Sequence, residues 1–252
     1  LPEIIAIWPG FFELAIYGLA VDLGSTTIAA HLCNLRTGEV IHSTGVMNPQ
    51  IRFGEDLMSR VSFSMMNKDG TDKLKTVVRE ALNELCNQII KDCKIDKKQL
   101  VEITLVCNPV MHHLLLGINP TELGQAPFAL ATSDSLYVNS LELDLTFLGN
   151  TKVYILPCIA GHVGADAAAV ILSEEPNESK ENVLIIDVGT NAELILGNKN
   201  KVLTCSSPTG PAFEGAQISS GQRAAPGAIE KVRINPKSKE PLFKVIGCEG
   251  WS

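Results

Sequence analysis

One pattern occurs twice in the chain and narrows the folds open to it. An apolar run ends in an aspartate, a glycine follows two positions on, and hydroxyl or amide side chains come next. The first copy is Tyr17-Gly18-Leu19-Ala20-Val21-Asp22-Leu23-Gly24-Ser25-Thr26-Thr27. The second is Val183-Leu184-Ile185-Ile186-Asp187-Val188-Gly189-Thr190-Asn191. The aspartates stand 187 − 22 = 165 positions apart. Such an offset indicates duplication of a whole α/β unit rather than a short repeat. A chain of 252 residues, 45% of them hydrophobic, has the length for more than one domain and the material for a sizeable core.

The segments between the copies read as alternating elements. Residues 1–17 are a lead-in, with a strand expected over 4–8 and stopped by Pro9-Gly10. A strand at 17–22, a turn, a strand at 28–33, a turn at 36–39 and a strand at 40–46 predict an antiparallel meander. Helical spacing follows at 55–66 and 71–93. Residues 101–107 read as a buried strand, 110–116 as a short helix, 118–150 as loop, 153–156 as strand and 164–172 as a small-residue helix. Glu174-Glu175-Pro176-Asn177-Glu178-Ser179-Lys180-Glu181 is polar throughout and reads as a linker. After it come strands at 183–187, 193–196 and 201–205, the last two joined by a turn at Gly197-Asn198. The domains expected are a lead-in at 1–17, a first lobe at 18–173, a linker at 174–182 and the start of a second lobe at 183–252.

Each repeated loop has the composition of a phosphate-binding turn. The aspartate, at the end of a buried strand, is placed to hold Mg²⁺ or its waters. The glycine lets backbone approach a ligand closely. Successive N–H groups in such a turn form an anion-binding concavity, and the hydroxyls add donors. The candidates for phosphate are therefore Gly24, Ser25, Thr26, Thr27, Gly189, Thr190 and Asn191, with Asp22 and Asp187 for metal and catalysis. Gly189 is expected to turn its N–H toward phosphate and to leave no room for a side chain. A single Asp-x-Gly-Ser/Thr turn is also ordinary hairpin chemistry. Two copies separated by a full α/β unit favour the phosphate reading. Neither copy is a Gly-Lys-Ser/Thr P-loop, and no Gly-x-Gly-x-x-Gly opens a helix.

Other features exclude competing classes. The charge is 21 − 28 = −7, which disfavours nucleic acid and anionic membrane surfaces as partners. No run of 18 apolar residues offers a membrane span. The start, Leu1-Pro2-Glu3, has no basic region of a signal peptide, and the chain reads as a piece of something longer from the cytoplasm. Seven scattered cysteines make no CxxC and no four-thiolate spacing, so they are expected to be buried and reduced, with no iron–sulfur cluster among them. Adjacent His112 and His113 point to different helix faces, unlike an i, i+4 metal pair, and read as core or surface residues. Glu193 follows the second loop at strand spacing, and Arg223 lies in a polar turn.

The paired loops resemble the two phosphate loops of the acetate and sugar kinase/Hsp70/actin (ASKHA) superfamily. A narrower resemblance, to RACo-type reductive activators of corrinoid-dependent methyl transfer, is carried by several blocks in order. These are residues 17–27, Met47-Asn48-Pro49-Gln50 with Arg52-Phe53-Gly54-Glu55-Asp56, Asn108-Pro109-Val110-Met111-His112-His113, Leu156-Pro157-Cys158-Ile159-Ala160-Gly161-His162-Val163-Gly164-Ala165-Asp166, and Ser207-Pro208-Thr209-Gly210-Pro211-Ala212-Phe213-Glu214-Gly215-Ala216. The resemblance implies an α/β fold: a ribonuclease-H-like ATPase lobe plus the truncated start of a second. It implies ATP and Mg²⁺ as cofactors, and a 2Fe-2S domain in a region N-terminal to this chain. The partner implied is a corrinoid protein, whose cob(II)alamin is reduced to cob(I)alamin at the expense of nucleotide binding or hydrolysis. In that superfamily the helix opened by Asp166 can present a polar residue to the γ-phosphate, the alternative being a first-turn acid that complements the helix dipole. Glu214, in a first turn after Pro211, either faces the cleft or merely sits in that turn. A homodimer is carried as an open expectation. The alternatives are a small-molecule kinase of the same superfamily and a nucleotide-gated scaffold without turnover.

Overall fold

In Tyr17–Leu23 (β1), apolar and small or polar positions alternate, so Leu19, Val21 and Leu23 bury on one face while Ala20 and Asp22 stay exposed on the other. The computed structural model describes residues 4, 7–8, 10, 15–146, 149, 151–189, 191–209, 226–248 and 250–251. Of the strand expected at 4–8, residues 5 and 6 lie outside the described residues, and 4, 7 and 8 are not in a strand. Thr27–Asn34 (β2) pairs antiparallel with β1, and Val40–Met47 (β3) pairs antiparallel with β2, forming the expected meander.

Leu57–Met66 (α1) starts at Asp56, whose carboxylate accepts the Ser59 N–H at 2.7 Å. Gly70–Cys93 (α2) repeats Leu74, Val78, Leu82, Leu85 and Ile89 at three and four, and all five are buried. Its end is set by Lys94 at φ 53°. Leu100–Cys107 (β4) returns parallel to β1. Pro109 opens Pro109–Leu116 (α3) rather than interrupting it, because Asn108 caps the Met111 N–H and a first-turn proline needs no donor.

The stretch read as loop contains a strand, Leu136–Asn139 (β5), antiparallel to Lys152–Ile155 (β6). Four residues carry too little alternation to announce a strand. Ala165–Glu174 (α4) closes the lobe and packs on β4. The six strands lie in the order β3-β2-β1-β4-β6-β5. The main core sits on the face of Leu19, Val21, Leu23, Ile103 and Leu105, covered by α2 and α3. Among the described residues no helix is long and apolar enough to cross a membrane.

Residues 174–182 contain a short turn of 3-10 helix at Pro176–Glu178, with Pro176 buried. Val183–Val188 (β7), Asn191–Asn198 (β8) and Lys201–Pro208 (β9) then form a three-stranded sheet. The turn between β8 and β9 falls at Lys199-Asn200, past the expected Gly197-Asn198. Asn198 stays in the strand, and its side-chain oxygen accepts the N–H groups of Asn200 and Lys201. Apolar β7 was expected to be buried, yet Leu184, Ile186 and Val188 are all more than half exposed, because no described element covers that face. Ile229–Ile234 (β10) and Pro241–Val245 (β11) form an antiparallel hairpin. By density of contact the chain divides into two units, Leu1–Leu184 with Ile195–Cys205, and Ile185–Leu194 with Ser206–Ser252.

Candidate functional site

The β1–β2 connection begins after the pair Leu23↔Ile28. A Cβ on Gly24 would sit 2.6 Å from the Thr27 carbonyl oxygen, so no larger residue fits without moving backbone. The next three carbonyls are each engaged from the protein side. Asn48 Nδ2 donates to Gly24 O at 2.8 Å, Arg60 Nη2 to Ser25 O, and the Asn48 N–H to Thr26 O at 2.8 Å. Asn48, Gln50 and Arg60 are fully buried. Arg60 also donates to Gly54 O at 3.0 Å and Gln50 Oε1 at 3.2 Å, and Gln50 in turn donates to Leu74 O. Burial lowers the Arg60 pKa to about 10, partly offset by Asp56, so the guanidinium remains charged at neutral pH.

Asp22, two residues before the loop glycine, lies opposite Val106 in the parallel pairing and is exposed at the carboxyl ends of the strands. Asp166 reaches the same end from the first turn of α4, where its Oδ1 accepts the Ala167 N–H at 2.8 Å. The junction is tight: a Cβ on Gly164 would lie 2.5 Å from Cys107 O and 2.6 Å from both Asn108 Cα and Asp166 Oδ1. Burial pushes the Cys107 thiol well up, with Cys158, Asp166 and Asp22 adding to the shift. Asp166 Oδ1 and Cys107 O flank Gly164, and Cys107 pairs with Leu23, the neighbour of Asp22, so the two carboxylates share one end of the sheet. Burial likewise raises Cys158 to about 11, against the Ala165 N–H that stabilises its thiolate. The cysteines are not uniformly buried as expected. Cys86, Cys107 and Cys158 are, Cys33 and Cys93 are half-buried, and Cys205 and Cys248 are exposed.

In the second loop Asp187 is exposed near the end of β7. The Gly189 N–H does not face outward as expected. It donates to Asn191 O at 2.8 Å within the hairpin, and Gly189 O accepts from Thr209 Oγ1 at 2.9 Å. A Cβ at position 189 would meet only Asn191 O at 3.5 Å, an ordinary contact, so intolerance of a side chain there would have to come from a bound ligand. Thr190, Glu214 and Arg223 lie outside the described residues. Glu193 belongs to this loop's surroundings: it is half-buried and accepts from Ser206 Oγ at 3.0 Å. Burial raises its pKa, Asp187 adds to the rise, and the Ser206 hydrogen bond opposes it.

His112 and His113 are both buried, as core histidines, but do not diverge: their ring centroids are 5.5 Å apart. His113 Nε2 accepts the Ala131 N–H, so its proton sits on Nδ1 and is donated to Pro109 O. His112 Nε2 is buried without a hydrogen-bond partner among the described residues. No group of three or more His, Cys, Asp or Glu side chains among them is arranged to hold a metal ion. An exposed aspartate beside a phosphate turn is nonetheless a donor set that suits Mg²⁺, which keeps most of its waters and takes its remaining ligands from substrate.

Sequence reasoning singled out Asp22, Asp166 and the first loop as candidates, but gave no role to Arg60 and Asn48, which hold the loop's carbonyls. The available signal was a charged residue at position 60, in step with Leu57 and Val61 on the apolar stripe of α1.

Comparison with known proteins follows from this geometry. The family model described as the RACo middle region matches residues 17–179, and that for the C-terminal domain of RACo, the ASKHA domain, matches residues 181–251. Corrinoid activation enzyme RamQ of Eubacterium limosum is 36% identical over 235 residues, covering 93% of this chain and 39% of RamQ. The Co(II) methylated amine-specific corrinoid protein reductase of Methanosarcina barkeri is 28% identical over 230 residues, 86% of this chain and 41% of that protein. The solved structure of a reductive activator for corrinoid,iron-sulfur protein superposes with a TM-score of 0.84 at 36% identity, over 94% of this chain and 38% of that one. The chain thus spans about two fifths of the length of these relatives.

Proposed function

This chain belongs to the RACo family, and from that premise we propose that it forms the nucleotide-binding part of an ATP-dependent reductive activator of a corrinoid protein. The observation that carries the nucleotide reading is the convergence of three features on the carboxyl ends of β1 and β4: the glycine turn at 24–27, exposed Asp22, and Asp166 at the start of α4. Ligands of open α/β sheets bind at that edge. The turn binds phosphate through N–H and hydroxyl groups, Asp22 would hold Mg²⁺ or its waters, and Asp166 supplies a second carboxylate near the same strand ends. Mg²⁺, when bound, neutralises phosphate charge. Asp187, with Glu193 beside it, offers carboxylates at the second loop. In the whole protein, nucleotide binding or hydrolysis drives transfer of one electron from a 2Fe-2S centre outside this chain to cob(II)alamin, giving cob(I)alamin.

Titration of the full-length protein with ATP and Mg²⁺, followed by phosphate release and cob(I)alamin formation with and without a corrinoid protein, tests the proposal. Saturable binding, with cobalt reduction that requires both ATP and the corrinoid protein, is the expected result. Cobalt reduction at an unchanged yield without nucleotide would overturn it.

A further inference from the structure

We infer that Arg60 is a positioning residue that, with Asn48, holds the first loop in its phosphate-receiving conformation from behind. The inference rests on the nucleotide reading above and adds a role for residues that never touch the ligand. A peptide group is planar and trans, so the N–H of each residue points opposite the C=O of the residue before it. Gly24 O and Thr26 O are held by Asn48, and Ser25 O by Arg60. The N–H groups of Ser25, Thr26 and Thr27 must therefore point away from Asn48 and Arg60. Three consecutive donors share that constraint, which is the preorganisation an anion site needs.

The remaining contacts of Arg60 show that it is itself fixed. Its Nε and Nη1 donate to Gly54 O and Gln50 Oε1, its Nη1 lies 3.3 Å from Met111 Sδ, and no part of the residue is exposed. Asp56, the cap residue of α1, is the carboxylate whose charge acts on it and only partly offsets its burial. A buried cation that is only partly compensated is costly unless its charge serves something further. Here it sits directly behind a turn that would take an anion, and its positive charge favours that occupant. The bond to Ser25 O ties it to the loop.

The experiment compares ATP, with Mg²⁺, against adenosine in the full-length protein and in Arg60→Met and Arg60→Lys variants that melt cooperatively. Loss of one charge-assisted hydrogen bond corresponds to roughly a tenfold to hundredfold weakening. Arg60→Met should weaken ATP by that factor and leave adenosine affinity unchanged, with Arg60→Lys in between because it keeps the charge but loses the fork. A variant that loses ATP and adenosine equally would show a general structural role and overturn the clamp. So would ATP binding as tight as wild type. If Arg60→Met does not fold, Arg60→Lys alone decides, by whether its loss is confined to ATP. Failure of the wild-type protein to bind ATP would overturn the nucleotide reading and the clamp together. Intact wild-type binding with an unaffected variant overturns the clamp alone.

Discussion

Gly24 and Gly189 occupy matching places in the repeated sequence, but their surroundings differ. A methyl group at 24 runs into the Thr27 carbonyl, whereas one at 189 meets nothing closer than ordinary contact. Gly24→Ala should therefore cost about 1–3 kcal/mol in urea unfolding, and Gly189→Ala should stay within about 0.5 kcal/mol. Equal losses would mean that the two loops are built alike. The histidine pair gives a second test at this scale. Burial, with His113 contributing, lowers the His112 pKa from 6.5 to about 4. A base whose folded pKa is depressed binds more protons unfolded, so its contribution is fully present above pH 6.5 and is lost as pH falls toward 4. The melting temperature should decline through that window, and His112→Gln should flatten the decline. An unchanged slope in the variant would assign the titration elsewhere. Asp22 and Gly24 stood out as candidates because the Asp-x-Gly turn recurs at 187–189, whereas a single copy is ordinary hairpin chemistry. Arg60 was not, since a lone arginine in a helix reads as solvent-facing until its partners are known.

Between elements, one buried polar tie in the first unit runs from α2 to the end of α3. Buried Arg79 donates through Nε and Nη2 to Leu115 O at 2.9 and 2.7 Å and pairs through Nη1 with Asp144. The carbonyls at a helix end need outside donors. Arg79→Met leaves Leu115 O without them and should cost about 1–3 kcal/mol, read by chemical unfolding; a loss below about 0.5 kcal/mol would mean that water replaces the guanidinium. The long elements were readable because periodicity accumulates with length, as in α2 and in the β1–β2–β3 meander. Short β5 had too few positions to show a period. The β10–β11 hairpin failed for another reason: Ile229, Val232 and Ile234 are more than half exposed, so no buried face imposes an alternation.

At the scale of the molecule, the buried apolar side chains concentrate in the first unit. The β10–β11 hairpin contributes none, and an isolated two-stranded hairpin is marginal in water. Hydrogen exchange on this chain should find the amides of Val21 and Leu105 among the slowest and those of 229–245 among the fastest; equal protection would show that the hairpin is held by more than its own ladder. The position of β1 in the sheet has a kinetic consequence. Its pairing with β2 joins neighbours across a tight turn, whereas its pairing with β4 joins Leu23 to Cys107, 107 − 23 = 84 positions later. Closing the long loop costs entropy that the short one does not, so the meander forms early and β4 docks onto it late. The turn at 24–26 then exists before Asn108, α3 and α4 arrive to build around it. Perturbing the turn should slow refolding, while perturbing β4 should mainly speed unfolding. A ligand that grips the turn would act on the folding rate as well as on the lifetime of the folded state.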